Sequence, residues 1–240
     1  MFLKVIAEAK EYTRPVLILY RFTDGRLESN IGTFIHVDDL GHILNASHIF
    51  KMGSEDPISS ISLRFDGQYI KANYISDDIL NDIVLLKIQD YEPGSIKVFP
   101  KFLKSSIREL PHGTPLIRLG YPKGNPHSNI SVAWDEKNQG FVLDETKTKV
   151  TCFHNDGIVT QYVDRDKEVR LLEMSTPALM GQSGGPVLSA EGTVVGLQSR
   201  NTVLELPDEP PFETGLAASH IVIARFLEKH TSARIDYRTI

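Results

Sequence analysis

A hydroxyl, an imidazole and a carboxylate are the residues of this chain whose types and order point to chemistry. Ser183 sits in MGQSGGPVL, residues 180–188, where Gly181, Gly184 and Gly185 crowd around it. Glycine tolerates unusual torsions and the close approach of another chain. Such a turn can aim two backbone N–H groups at one point, as stabilising an oxyanion requires. Read blandly, the same segment is a tight glycine-rich turn. His48 ends a strand-like segment, HILNASHIF (42–50), and alone would count as a core or surface histidine, with His36 and His42 as competitors. Asp82 stands directly before the apolar run IVLLKI (83–88). A carboxylate placed there is partly buried and needs donors to offset desolvation; an imidazole Nδ1–H is a good one. Asp77 and Asp78 are rivals in a more polar stretch that plausibly faces water. Taken as an ordered set, the three residues describe nucleophilic acyl transfer. Ser183 attacks, His48 takes and returns the proton, and Asp82 orients the ring.

The same letters carry a second reading. Gly181, Ser183 and Gly185 also satisfy G-x-S-x-G, the nucleophile elbow of another hydrolase class, which needs a helix directly after the serine. Here Gly184-Gly185-Pro186 leads into VLSA, a turn and VVGLQS, a poor helix former at every step. Asp208 and His220 follow in the order that class requires, so a serine esterase stays open as an alternative. So does a catalytically silent protein-binding module on the same fold.

The elements that must position these residues read as short strands. VLILYRF (16–22), TFIHV (33–37), HIL (42–44), SISLRF (60–65), YIKANYI (69–75) and IVLLKI (83–88) fill the first half, with DDLG and Asp66-Gly67 as turn signals. A polar, proline-containing stretch at about 89–100 divides the halves. The second half continues with TPLIRLG (114–120), a long polar segment (122–147) holding a hairpin near WDEKNQGFVL, then TKVTCF, GIVTQYV, EVRLLEM, GPVLSA and TVVGLQS. A proline-rich acidic loop, 201–214, carries Glu205, Asp208, Glu209 and Glu213. Only residues 3–10 and 219–229 read as helical, the latter with Ser219 as its cap. The expected architecture is all-β: a single domain over 1–240, with a first barrel at 15–98, a second at 108–218 and a C-terminal helix at 219–230.

Composition narrows the partners. The chain has 240 residues, 41% of them hydrophobic, enough for a substantial core. Lys and Arg number 26 against 31 Asp and Glu, a net charge of −5 with no basic run, which speaks against nucleic acid. No stretch approaches the roughly 20 apolar residues of a spanning helix, so no membrane partner is expected. One cysteine, Cys152, excludes an internal disulfide framework. With no signal-peptide pattern at the start, the expected setting is cytoplasmic. The histidines show no metal-ligand spacing, and no metal or organic cofactor is expected. Oligomeric state is not readable from these features.

On these residues the chain resembles the chymotrypsin-like serine peptidases, above all the protease domain of the bacterial Deg, or high-temperature-requirement, group. NASHIF (45–50), NDIVLLKI (81–88) and GQSGGPVL (181–188) resemble that family's histidine, aspartate and serine segments. RLGYPKG (118–124), DGIVT (156–160), GTVVGLQS (192–199) and GLAASHI (215–221) align in style and order. The resemblance implies two six-stranded antiparallel barrels with the site between them. It also implies a triad of His48, Asp82 and Ser183, an oxyanion hole from the N–H groups of Gly181 and Ser183, and a polypeptide substrate. A substrate pocket would draw on Pro177, Ala178, Leu179 and Met180, and on Gly196, Leu197 and Gln198 out to Asn201. These segments hold apolar side chains and no acid, so a small or apolar residue is expected before the cut. Gln182 departs from the aspartate or asparagine usual before the serine. Activation by a newly cut amino terminus pairing with that acid is therefore not expected.

Overall fold

The computed structural model describes residues 2–21, 27–50, 60–65, 68–70, 72–104, 109–123, 131–135, 140–143, 147, 149–166, 169–204, 211–231 and 235–238. The expected turn at Asp66-Gly67, the acidic residues Glu205, Asp208 and Glu209, and much of segment 122–147 lie outside them. Helix α1 (Leu3–Tyr12) leads into β1 (Thr13–Arg21), β2 (Leu27–His36) and β3 (His42–Asn45). After a single 3-10 turn at Ser47–Phe50 come β4 (Ser60–Phe65), β5 (Gln68–Ile70), β6 (Ala72–Asp78) and β7 (Ile83–Ile88). The second half holds β8 (Lys101–Leu103), β9 (Pro115–Gly120), β10 (Val132–Asp135), β11 (Gly140–Leu143), β12 (Phe153–Asp166), β13 (Val169–Met174), β14 (Pro186–Ser189), β15 (Thr193–Leu204) and β16 (Phe212–Ser219). Helix α2 (His220–His230) and β17 (Tyr237–Arg238) follow. No described helix is long and apolar enough to cross a membrane.

The first sheet runs β5-β4-β1-β2-β3-β7-β6. Its two edge strands are consecutive in the chain: β5 ends at Ile70 and β6 begins at Ala72. One residue cannot span a flat sheet of this width, so the sheet must curl until its edges meet. The run YIKANYI, expected as one strand, thus divides into two with different partners, and this raises the strand count from six to seven. The second sheet closes by hydrogen bonding. Strands β14-β9-β12-β13-β16-β15 form a ring through the β14–β15 pairing, with β8 and β17 added outside it. Of the hairpin expected near WDEKNQGFVL, the two strands are present as the separate antiparallel pair β10–β11, and the residues between them lie outside the described ones.

Why β7 is almost wholly apolar follows from its position. Val84, Leu86 and Ile88 point into the first barrel with Val16, Ile18, Phe34 and Ile43. Ile83 and Leu85 point the other way, into a core shared by both sheets and both helices that includes Leu119, Leu197, Val222 and Phe226. Burial on two faces removes the alternation seen in half-exposed strands. Strand β9 behaves alike: Ile117 and Leu119 join the shared core, and Leu116 fills the second barrel. Ser219 does precede α2, with extended torsions, but its side chain makes no capping bond to the helix.

The turn expected at DDLG joins β2 to β3, with Gly41 at φ 83°. Asp38 organises it, accepting bonds from the Leu40 and His42 amides and from His42 Nδ1 at 2.6 Å. Nearby, His36 is fully buried, 5.2 Å from the Phe34 ring centroid. Burial, and then the Arg14 guanidinium, push its pKa down from 6.5 to about 3, against an upward pull from Asp38. Between those values the unfolded chain holds a proton that the folded chain refuses, so stability falls as pH falls through that window. Thermal unfolding should therefore shift to lower temperature between about pH 7 and about pH 4.5, and His36→Leu should flatten the shift. An equally steep shift in the variant would rule out His36 as its source.

Candidate active site

Local pairing brings His48 and Asp82 together. Strands β3 and β7 are antiparallel, with Asn45 opposite Val84. The chain just after β3 therefore lies beside the chain just before β7. His48 occupies the 3-10 turn that leaves β3, and the Ser47 amide donates to the Asp82 carbonyl at 3.2 Å. Asp82 enters β7 with φ 58°, in the left-handed region that Asp visits more readily than most residues. Its carboxylate is nearly buried. Oδ2 is 2.7 Å from His48 Nδ1 and Oδ1 accepts from the His48 amide at 2.8 Å, with Ser47 Oγ at 3.3 Å. Burial by itself would raise the Asp82 pKa; hydrogen bonds from His48 and Ser199 and the nearby imidazole outweigh it and hold the carboxyl below its usual value. An ionised carboxylate can only accept, so Nδ1 carries the proton and Nε2 offers its lone pair.

The turn that carries Ser183 belongs to the second half but is docked on β2. The Thr33 amide donates to the Ser183 carbonyl at 2.8 Å, and Thr33 Oγ1 donates to the Gly181 carbonyl at 2.8 Å. Gly184, at φ 82°, lies so close to β2 and β3 that an added Cβ would meet the Thr33 carbonyl oxygen at 2.1 Å and Asn45 Oδ1 at 2.2 Å. Glycine is required there for both torsion and space. This contact is what sets the serine beside the 3-10 turn bearing His48.

One residue links the Ser183 hydroxyl and the Asp82 carboxylate. The Ser183 hydroxyl donates to the Ser199 carbonyl at 3.1 Å, and the Ser199 hydroxyl donates to Asp82 Oδ2 at 2.5 Å. Ser199 lies on β15 and is buried. Sequence reading passed over it because a lone serine in a strand carries no signal. His48 remains about half exposed, with its side chain at 46%.

Around the serine, the Met180 carbonyl accepts from the Lys123 amide at 2.7 Å and the Gln182 carbonyl accepts from the Gly185 amide at 2.9 Å. Because a trans peptide points its N–H opposite its C=O, the Gly181 and Ser183 N–H groups face away from those partners. Neither has an acceptor among the described residues. Gln182, fully buried, secures the turn from inside: Oε1 accepts from the Leu179 amide at 2.8 Å and Nε2 donates to Asn155 Oδ1 at 3.1 Å.

The expected pocket residues divide. Pro177, Ala178, Leu179 and Met180 form a strap; Leu179 and Met180 are exposed at 44% and 70%. Asn155 holds it through the Pro177 carbonyl, and Asn201 holds it through Ala178 N and O at 2.7 and 2.9 Å. The opposite wall is therefore Ser199 to Asn201. Gly196 and Leu197 do not line a cleft: Gly196 is buried within the sheet between Val187 and Ser219, and Leu197 points into the shared core. Gln198 is fully buried, its Nε2 donating to the Arg200 and Leu216 carbonyls. A strand, not a helix, follows Ser183, which removes the elbow geometry. His220, the remaining histidine of that reading, is buried at the start of α2. Among the described residues no group of three or more His, Cys, Asp or Glu gathers to hold a metal ion.

The family model for the trypsin-like peptidase domain matches residues 32–197. Curated relatives include the serine protease Do-like HtrA of Lactococcus lactis, 27% identical over 140 residues, which are 58% of this chain and 30% of that protein. Another is a probable periplasmic serine endoprotease, DegP-like, of Halomonas elongata, 21% identical over 171 residues, 71% of this chain and 29% of that protein. The chain thus spans less than a third of the length of these relatives. Among solved structures, the Rv3671c protease from M. tuberculosis, active form, superposes with a TM-score of 0.62 at 16% identity, covering 96% of this chain and 86% of that one. That likeness establishes the fold.

Two substitutions test the geometry. Gly184→Ala should cost about 1–3 kcal/mol or more, through overpacking and a disfavoured torsion, and lower the unfolding temperature; an unchanged value would contradict the docking described. Ser199→Ala removes a donor from a buried acceptor and should cost roughly 1–3 kcal/mol at neutral pH. Because Asp82's depressed pKa gives stability that is lost as pH falls through it, this difference should shrink in acid, below the ordinary carboxylate range. A pH-independent difference would count against Ser199 acting through the carboxylate.

Proposed function

We propose that this chain, which belongs to the trypsin-like peptidase domain family, is a serine endopeptidase that cuts polypeptides through an acyl-enzyme. The observation that carries the reading is the junction at Ser199, whose carbonyl meets the Ser183 hydroxyl and whose hydroxyl meets Asp82, itself bonded to His48 Nδ1. In the first step the Ser183 hydroxyl leaves the Ser199 carbonyl and donates to His48 Nε2. Oγ bonds to the peptide carbonyl carbon as the proton passes to Nε2. Hydrogen bonds to the reacting groups are often loose before substrate arrives and tighten in the complex.

The carbonyl oxygen, now negative, is met by the Gly181 and Ser183 N–H groups, which are worth most in a site that excludes water. His48 then gives its proton to the amide nitrogen, the C–N bond breaks and the new amine departs. Water attacks the acyl carbon and loses a proton to Nε2, and the proton returns to Ser183 Oγ as the acid leaves. Asp82 holds the tautomer and offsets the imidazolium charge throughout. Support for a turn organised without a cut amino terminus comes from Gln182, whose side chain supplies the internal bonds.

Two measurements test the function together. A fluorophosphonate probe should label Ser183, located by peptide mapping, and Ser183→Ala should lose turnover of a diverse peptide library by about 10³-fold or more. Wild-type rates in the alanine variant would refute the assignment. Labelling without cleavage of any peptide would favour the esterase alternative, and neither labelling nor cleavage the silent binding module.

A further inference from the structure

Arg118 is the largest fully buried side chain among the described residues, at 0% exposure. It shares its face of β9 with Leu116, which fills the second barrel, so the guanidinium is directed into the barrel's interior. Nη2 donates to the Thr176 carbonyl and to Met174 Sδ, both at 3.2 Å. Nε and Nη1 have no hydrogen-bond partner among the described residues. Among the described residues no carboxylate pairs with it. Glu173, a buried acid on β13, faces the opposite side, where Thr214 Oγ1 and Gln161 Nε2 donate to it at 2.7 and 2.6 Å. Burial lowers the Arg118 pKa to about 10, which leaves it charged at neutral pH. A buried, unpaired charge is among the costliest features a fold can keep, and its retention asks for an anion that arrives from elsewhere.

Its location says which anion. Gly215 pairs with Asn201 on one side and with Met174 on the other, so it lies between the bases of the two pocket walls. A Cβ there would stand 2.3 Å from Arg118 Nη2 and 2.7 Å from the Thr176 carbonyl oxygen. The guanidinium thus occupies the floor behind the Thr176–Met180 strap and the Ser199–Asn201 strand. The next residues of β9 run beneath the nucleophile turn: a Cβ on Gly120 would meet Gln182 Cα at 2.8 Å, and one on Gly185 would meet the Leu119 carbonyl oxygen at 2.0 Å. Across the ladder from Arg118 sits Asn155, which bonds both Gln182 and the Pro177 carbonyl. On the same barrel-facing side, Gln198 leaves its Oε1 without a partner among the described residues.

We propose that Arg118 forms the floor of the pocket for the substrate residue preceding the cut and selects glutamate or aspartate there. This rests on the peptidase reading above and replaces the apolar preference expected from the pocket segments alone. The carboxylate of that side chain completes the two unpartnered guanidinium nitrogens, and a neutral isostere leaves them bare. Such a site discriminates far more strongly than an apolar slot, because the wrong substrate strands a buried polar group.

The test compares quenched-fluorescence peptides identical except for Glu, Asp, Gln, Leu or Ala before the cut. With wild-type protein kcat/KM for Glu or Asp should exceed that for Gln or Leu by about 10²-fold or more, and Arg118→Met should abolish the preference. Equal or apolar-favouring wild-type rates would overturn the proposal, whether or not the variant folds. In parallel, product-length peptides ending in Glu or Gln are titrated onto the Ser183→Ala protein by fluorescence anisotropy. Tighter binding of the Glu peptide supports the pocket even if no peptide is cleaved, in which case the peptidase reading alone fails. Equal binding overturns the pocket.

Discussion

The buried carboxylate of Asp82 is the constraint on which the site depends. It takes bonds from the His48 ring and amide, from Ser47 and from Ser199. The first three donors lie on the 3-10 turn that follows β3 of the first sheet; the last comes from β15 of the second. One ionised group therefore fixes the imidazole and fastens the two halves together. Because it must stay charged to accept all these bonds, and because its burial opposes charge, the arrangement holds only when every donor is present. That is a reason for the site to sit at the seam between sheets, where both can contribute.

A second constraint acts on the turn bearing Ser183. Its serine comes from the second half, yet its position is set by β2 through Thr33 and by the lack of side chains at Gly184. The side chain of Gln182 then closes the turn on itself and on Asn155. The turn is thus held by neutral bonds from within the chain. The same bonds tie the turn to the strap through Leu179 and to β12 through Asn155, the residue opposite Arg118 in the ladder. The proposed floor of the pocket and the turn bearing Ser183 are thus packed on neighbouring strands, and rigid elements are where a selective site is best placed.

Much of this was readable from local signals. Asp82 could be recognised because a carboxylate abutting IVLLKI has to find donors, and the structure gives the reason for the run itself, a strand buried on both faces. The glycines around Ser183 signalled a tight turn, and Gly184 proves to be needed for torsion and space at once. Leu197 misled, since an apolar residue near a presumed pocket was read as lining it. Side chains alternate along a strand, and at that position the alternation turns Leu197 into the shared core. Ser199 and Arg118 gave no signal, because a serine or an arginine inside a strand-like run looks the same whatever faces it.

By itself the sequence determined the strand-rich class, the order of histidine, aspartate and serine, and the residues that could perform acyl transfer. These depend on short-range properties: apolar alternation, turn chemistry and the needs of a buried carboxylate. Which strands became neighbours, which donor reached Asp82 from the other sheet, and which cation came to lie behind the strap were decided by tertiary structure alone. Those are contacts between residues far apart in the chain, formed when one sheet curls and the other closes, and no local pattern records them.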